Sequence, residues 1–264
     1  VELTRRPRIF LNGFPKSGLH LAVLMARSVT PDPAIERPWS GSFGWNAWSN
    51  EWMPLPHIMC NLRMLNDGQW LKGHMGYIPE VEQYLYWHGV AAGFIYRDFR
   101  DVLVSQSYHV IAEDDTKFSH PDKDLYRAMG HEERLLACLC GVQQFSGLFD
   151  RWALYAPWLN VPWVFKAKYE DMIGRPAEVA REFLAYVWDR TAEGYPEIQK
   201  QVAIDDGYVE YVVENMQRKE LSATFRKGGS GGWREEFTPK VKEEFKRRGG
   251  DWLIRLGYEE DDSW

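Results

Sequence analysis

Cysteine is scarce in this chain, with three residues in 264, at positions 60, 138 and 140. Their spacing fits neither a zinc site nor a redox C-x-x-C pair, and reduced, mostly buried thiols in a cytoplasmic protein are expected. Long apolar runs are also missing. No stretch approaches the roughly 20 residues that cross a bilayer, and residues 1–7 lack the apolar centre of a signal peptide. No membrane partner is therefore expected. Nor is there a basic excess: 32 Lys and Arg stand against 38 Asp and Glu, a formal charge of -6. That balance argues against a general nucleic-acid binder and leaves room for a local basic pocket around a nucleotide. Repeats, low-complexity tracts and interdomain linkers are absent as well.

What is present is an ordinary globular composition with many aromatics, 13 of them Trp. The length suits one large α/β domain spanning residues 1–264. Apolar runs alternate with helical patterns. Strands are predicted at Arg8–Asn12, Gln69–Gly73, Val90–Tyr96 and Pro162–Lys166. Helices are predicted over Leu19–Ser28, from Pro79, over Arg100–Ile111, over Tyr126–Trp152 and over Pro176–Trp188. Such alternation implies a central parallel sheet flanked by helices, with ligands beyond the carboxyl ends of its strands. The stretch Pro31–Gly68 shows no clear periodicity and reads as a long functional loop.

The first strand breaks into Gly13-Phe14-Pro15-Lys16-Ser17-Gly18 and then a helix. Gly13 and Gly18 permit a tight turn and close backbone approach, and the helix directs free N–H groups and its positive end at the loop. Lys16 adds a full charge. The expected guest is a phosphate or sulfate ester. The loop is not a Walker A motif, because Lys16 precedes Gly18 instead of following it.

Pro15-Lys16-Ser17-Gly18-Leu19-His20-Leu21 resembles the P-loop-like phosphosulfate-binding loop, P-K-S-G-T-T-W, of sulfotransferases that use 3′-phosphoadenosine 5′-phosphosulfate (PAPS). The last three positions depart from it. Tyr96-Arg97-Asp98-Phe99-Arg100-Asp101, with Ser105 and His109, is similar to that family's 3′-phosphate motif, although Phe99 replaces a proline. Arg226-Lys227-Gly228 with Trp233 and Phe237-Thr238 is similar to its late motif, with Gly232 replacing Asp or Asn. Lys168-Tyr169-Glu170-Asp171-Met172 matches Y-E-D-[LM]. Lys72-Gly73-His74 stands where the family has K-[TS]-H.

The resemblance implies a cytosolic-type sulfotransferase acting on a small molecule, with PAPS as donor and no metal. Pro15, Lys16, Ser17, Gly18, Leu19, His20 and Tyr169 would contact the donor. Arg97 would fork onto the 3′-phosphate with Ser105, Arg226, Lys227 and Gly228. His74 would be the base, with Lys16 and Lys72 stabilising charge on the leaving group. Lys72 and His74, two apart in a strand, share a face. His20 replaces a family Thr, as a simple donor or as a second titrating group. The family's adenine-stacking tryptophan falls at Leu21, leaving Trp233, Tyr169 or Val213 as an apolar lid.

The acceptor remains open. Trp45, Trp48 and Trp52, with Trp39 and Phe43, either line a pocket for an aromatic or sugar-like acceptor or form a small core under a long loop. Glu113-Asp114-Asp115 either attracts a cationic acceptor or is a solvated loop. The family's dimer motif is not recognisable, so the oligomeric state is open. Two other classes compete: a nucleotide kinase-like phosphotransferase, which would need magnesium and turn over ATP, and a non-catalytic binder of 3′,5′-adenosine bisphosphate, which would not need His74 beside Lys72.

Overall fold

The computed structural model describes residues 6–30, 32–33, 45–46, 51–112, 120, 122–143, 145–193, 203–218 and 229–264, with backbone alone at 32–33, 45–46 and 51–52. The chain divides into two units. The first comprises residues 1–46, 52–96 and 155–228; the second comprises 47–51, 97–154 and 229–264.

The first unit carries the sheet: β1 (Ile9–Gly13), β2 (Asp32–Pro33), β3 (Gln69–Gly73), β4 (Ala91–Tyr96) and β5 (Phe165–Lys168). The spatial order is β2-β3-β1-β4-β5, and every pairing is parallel. All five residues of β1 are buried, as expected of a central parallel strand covered on both faces. Pro33, which cannot donate to a ladder, is confined to the edge strand. Leu11 and Ala167 of the sheet pack with Val23 of helix Leu19–Val29, Phe183 and Val187 of helix Pro176–Ala192, and Val212 of helix Asp206–Met216. Because the strands are parallel, the carboxyl ends of β1, β3, β4 and β5 share one edge.

The second unit is helical around an aromatic core. Phe99 meets Trp152 edge-on at 4.6 Å, and Phe149 meets Phe245 at 5.2 Å. Arg100 is buried there, forked onto Asp98 and lying 4.0 Å over the Trp233 ring and 4.6 Å over Trp264.

Several expectations are corrected. The helical pattern over Tyr126–Trp152 divides into Lys123–Ala128, His131–Cys140 and a helix from Leu148, with a short antiparallel ladder of Gly141–Val142 on Phe145–Ser146. Gly141 at φ 93 ends the middle helix in a conformation that L side chains resist. Pro31–Gly68 contains a helix, Leu55–Arg63, whose buried Ile58 and Leu62 are four apart. The last strand starts at Phe165 and continues to Lys168, because residues 161–164 form a turn closed by the Val164 N–H on the Val161 carbonyl at 3.3 Å. Cys60 is exposed and Cys140 half-buried; only Cys138 is buried. No helix among the described residues is long and apolar enough to cross a membrane.

Candidate active site

In the first unit the anion loop leaves the end of β1. Lys16 takes φ 69 and Gly18 takes φ 88, both left-handed. Gly18 is the N-cap of helix Leu19–Val29, whose first turn holds no acidic residue. A Cβ on Gly18 would lie 2.3 Å from the Tyr169 ring, so the loop passes against that ring with only a hydrogen to spare. Ser17 is fully buried, and its Oγ has no hydrogen-bond partner among the described residues. A buried hydroxyl without a partner is costly, and beside an open helix N-terminus it suits an anionic ester oxygen.

Lys72 and His74 come to the same place from β3. The His74 Nδ1 lies 2.6 Å from the Gly13 carbonyl oxygen. A carbonyl only accepts, so Nδ1 carries the hydrogen and Nε2 keeps its lone pair. Burial lowers the His74 pKa to about 4; the Gly13 bond opposes that shift, and Lys72 and Lys16 add to it. His20, in the first helical turn, is lowered to about 3 by burial and then by Lys72, His74, Lys16 and Arg27. Lys72 is itself lowered by burial and by Arg27. The loop, the first helix and β3 therefore gather Lys16, His20, Lys72 and His74 into one field that favours an anion.

The sequence reading did not anticipate Asn12. Its amide, 1% exposed, donates from Nδ2 to the Met75 carbonyl at 2.7 Å and accepts from the Met75 N–H at 2.8 Å. Trp158 Nε1 donates to the same carbonyl at 3.1 Å. An amide at a strand end was the available signal, without any indication of its partner.

In the second unit Arg97 precedes helix Phe99–His109, which Asp98 caps by accepting from the Arg100 N–H at 2.9 Å. Asp101 and Ser105, four apart, follow one edge of that helix, with Arg97 four residues before Asp101. Arg97 Nη2 donates to the Gly229 carbonyl at 2.7 Å and lies 3.7 Å from Asp101 Oδ2. Asp101 accepts from the N–H groups of Gly231 at 2.7 Å and Trp233 at 3.1 Å. The late glycine segment is thus fastened to this helix. Ser105 is half-buried. Trp233, one candidate lid, is buried with one face under Arg100. Arg226, Lys227, Gly228 and Trp48 lie outside the described residues, as do the side chains of Trp45 and Trp52. Among the described residues no group of three or more His, Cys, Asp or Glu stands together as a metal site.

A parallel α/β sheet, a glycine-flanked loop after its central strand and a cationic cluster beside it define a protein that handles an anionic ester. The sulfotransferase domain family model matches residues 94–257, more than half of the chain, and the chain belongs to that family. The fold agrees. Mouse sulfotransferase SULT7A1 complexed with PAP is similar with a TM-score of 0.58 at 18% identity, over 95% of this chain and 86% of that one. Retinol dehydratase in complex with androsterone and inactive cofactor PAP is similar with a TM-score of 0.59 at 12% identity, over 94% and 81%. No curated protein matches the sequence. The family match begins after the anion loop and His74, so those residues rest on their own geometry and motifs.

Proposed function

We propose that this sulfotransferase moves a sulfuryl group from PAPS to a hydroxyl or amine of a small molecule, with His74 as general base. The observation that carries this reading is the imidazole held at Nδ1 by the Gly13 carbonyl, which leaves Nε2 as the basic nitrogen, in the neighbourhood of Lys16, Lys72 and His20. PAPS fits the residues present. The partnerless Ser17 Oγ, the left-handed Lys16 and Gly18, and the uncapped helix start offer donors to its phosphosulfate end. Pro15, Leu19, His20 and Tyr169 complete that surface. Arg97, Ser105, Arg226, Lys227 and Gly228 take the 3′-phosphate, a role supported by motif spacing.

The donor supplies the sulfuryl group. His74 Nε2 takes the proton of the acceptor as it attacks, while Lys16, Lys72 and the loop N–H groups meet charge gathering on the leaving phosphate. Neutral His20 contributes a hydrogen-bond donor at the loop. Trp45, Trp48 and Trp52 are proposed to line the acceptor side.

Turnover is measured with labelled PAPS and a panel of phenols, sterols, sugars and amines, with product mass determined. His74→Ala should lose on the order of 10²–10⁴-fold in rate. The melting shift caused by 3′,5′-adenosine bisphosphate should survive, because His74 acts on the acceptor. A near-normal rate in His74→Ala together with an inactive His20→Ala would transfer the role of base to His20.

A further inference from the structure

The ladder between β1 and β3 ends at the pair Asn12 and Gly73. Beyond it the chain leaves β3 through His74 and Met75, and regular pairing no longer holds them. Two consecutive residues of β1 take over. Asn12 grips the Met75 backbone through both its N–H and its carbonyl, and Gly13 accepts from the His74 ring. The carboxamide presents a donor and an acceptor in one plane, as a peptide group does, so it extends the ladder by one step with a side chain. A carboxylate would set its charge against the Met75 carbonyl. An aliphatic residue would leave the Met75 N–H without Asn12 as its acceptor, while Trp158 continued to serve the carbonyl.

We infer that Asn12 is a positioning residue for His74: by clamping Met75 it fixes the backbone from which the imidazole springs, so that Nδ1 meets the Gly13 carbonyl and Nε2 faces the acceptor. The inference rests on the proposed role of His74 as base. Asn12 touches no reacting atom, and its effect passes entirely through the neighbouring residue. Three points, two at Met75 and one on the ring, define both the place and the rotation of the imidazole. Gly13 alone constrains Nδ1 but leaves the backbone of His74 free to drift.

The test pairs kinetics with imidazole ¹⁵N spectra, the His74 resonances being assigned by their loss in His74→Ala. The wild type should show one tautomer, Nδ1–H. Asn12→Leu should show a mixture of tautomers and lose on the order of 10- to 10²-fold in kcat, with donor KM little changed. In the His74→Ala background, Asn12→Leu should cost nothing further, because the residue it positions is gone. Equal losses in both backgrounds, or an unaltered His74 tautomer in a folded Asn12→Leu protein, would overturn the inference. If the leucine variant does not fold, Asn12→Asp, which keeps an acceptor for the Met75 N–H, is held to the same outcomes. The spectra need no turnover. Full activity in His74→Ala would therefore remove the base assignment, while the tautomer would still decide whether the clamp exists.

Discussion

Burial first, and then the charges of Lys72 and Lys16, keep His74 and His20 neutral. An unfolded imidazole takes its proton near pH 6.5, whereas the folded protein protonates them only near 4 and 3. Between those values the unfolded chain binds more protons. The stability due to the neutral rings is thus fully present above about pH 6.5 and is lost as pH falls toward the folded values. The melting temperature should fall on acidification from pH 7 to 4, and His74→Ala should flatten that fall. His120, lowered to about 4 chiefly by burial, contributes its own share, so the difference between variant and wild type is the diagnostic quantity. An identical pH profile in His74→Ala would contradict the lowered pKa. The same burial and neighbouring charges keep the base ready at neutral pH, since Nε2 is already unprotonated before an acceptor arrives.

Helix Phe99–His109 anchors a segment distant in sequence through one carboxylate. Asp101, 4% exposed, holds the N–H groups of Gly231 and Trp233 and stands beside Arg97. Removing it leaves two backbone donors without that acceptor, a loss of roughly 1–3 kcal/mol. Asp101→Ala should lower the urea midpoint correspondingly and should weaken 3′,5′-adenosine bisphosphate binding, since Arg97 and the glycine segment lose their common tether. An unchanged midpoint and unchanged affinity would show the tether to be idle. At this scale the sequence was only partly legible. The glycine run 228–232 looks like a flexible linker by composition, and only the flanking charged and aromatic residues mark it as part of a binding motif. The pattern over Tyr126–Trp152 misled for the opposite reason: its apolar spacing persists across Gly130, Gly141 and Gly147, which end and redirect the helices.

The whole chain is acidic by formal charge, yet its proposed donor is a polyanion, so affinity must come from local placement of cations and N–H groups. A donor gripped at both phosphate ends should stabilise the folded protein by linkage. Adding 3′,5′-adenosine bisphosphate at about 100 times its Kd is worth about 2.7 kcal/mol. ATP, without a 3′-phosphate, should raise the melting temperature far less. Equal shifts would favour a kinase-like nucleotide site. Arg97→Ala should weaken bisphosphate binding by about 2–3 kcal/mol, as for a lost charge-assisted pair. The sheet was readable because β1 and β4 are apolar runs bounded by turns, a signal that needs no knowledge of partners. The loop and Lys72-Gly73-His74 were readable because their residues are contiguous. The Asn12 clamp was not, because hydrogen bonds between residues 63 apart in the chain leave no local pattern.

Gly18 and Tyr169 carry a consequence of another kind. Any side chain at position 18 would begin inside the Tyr169 ring, at a backbone angle that itself resists substitution. The reverse does not hold, since a smaller residue at 169 leaves Gly18 undisturbed. The two sites form a one-way ratchet in descent. Trimming the ring first removes the collision and leaves only the strain of the backbone angle at position 18, whereas the opposite order meets both. Among descendants of this chain, a bulky residue at 18 should never be found beside an intact tyrosine at 169.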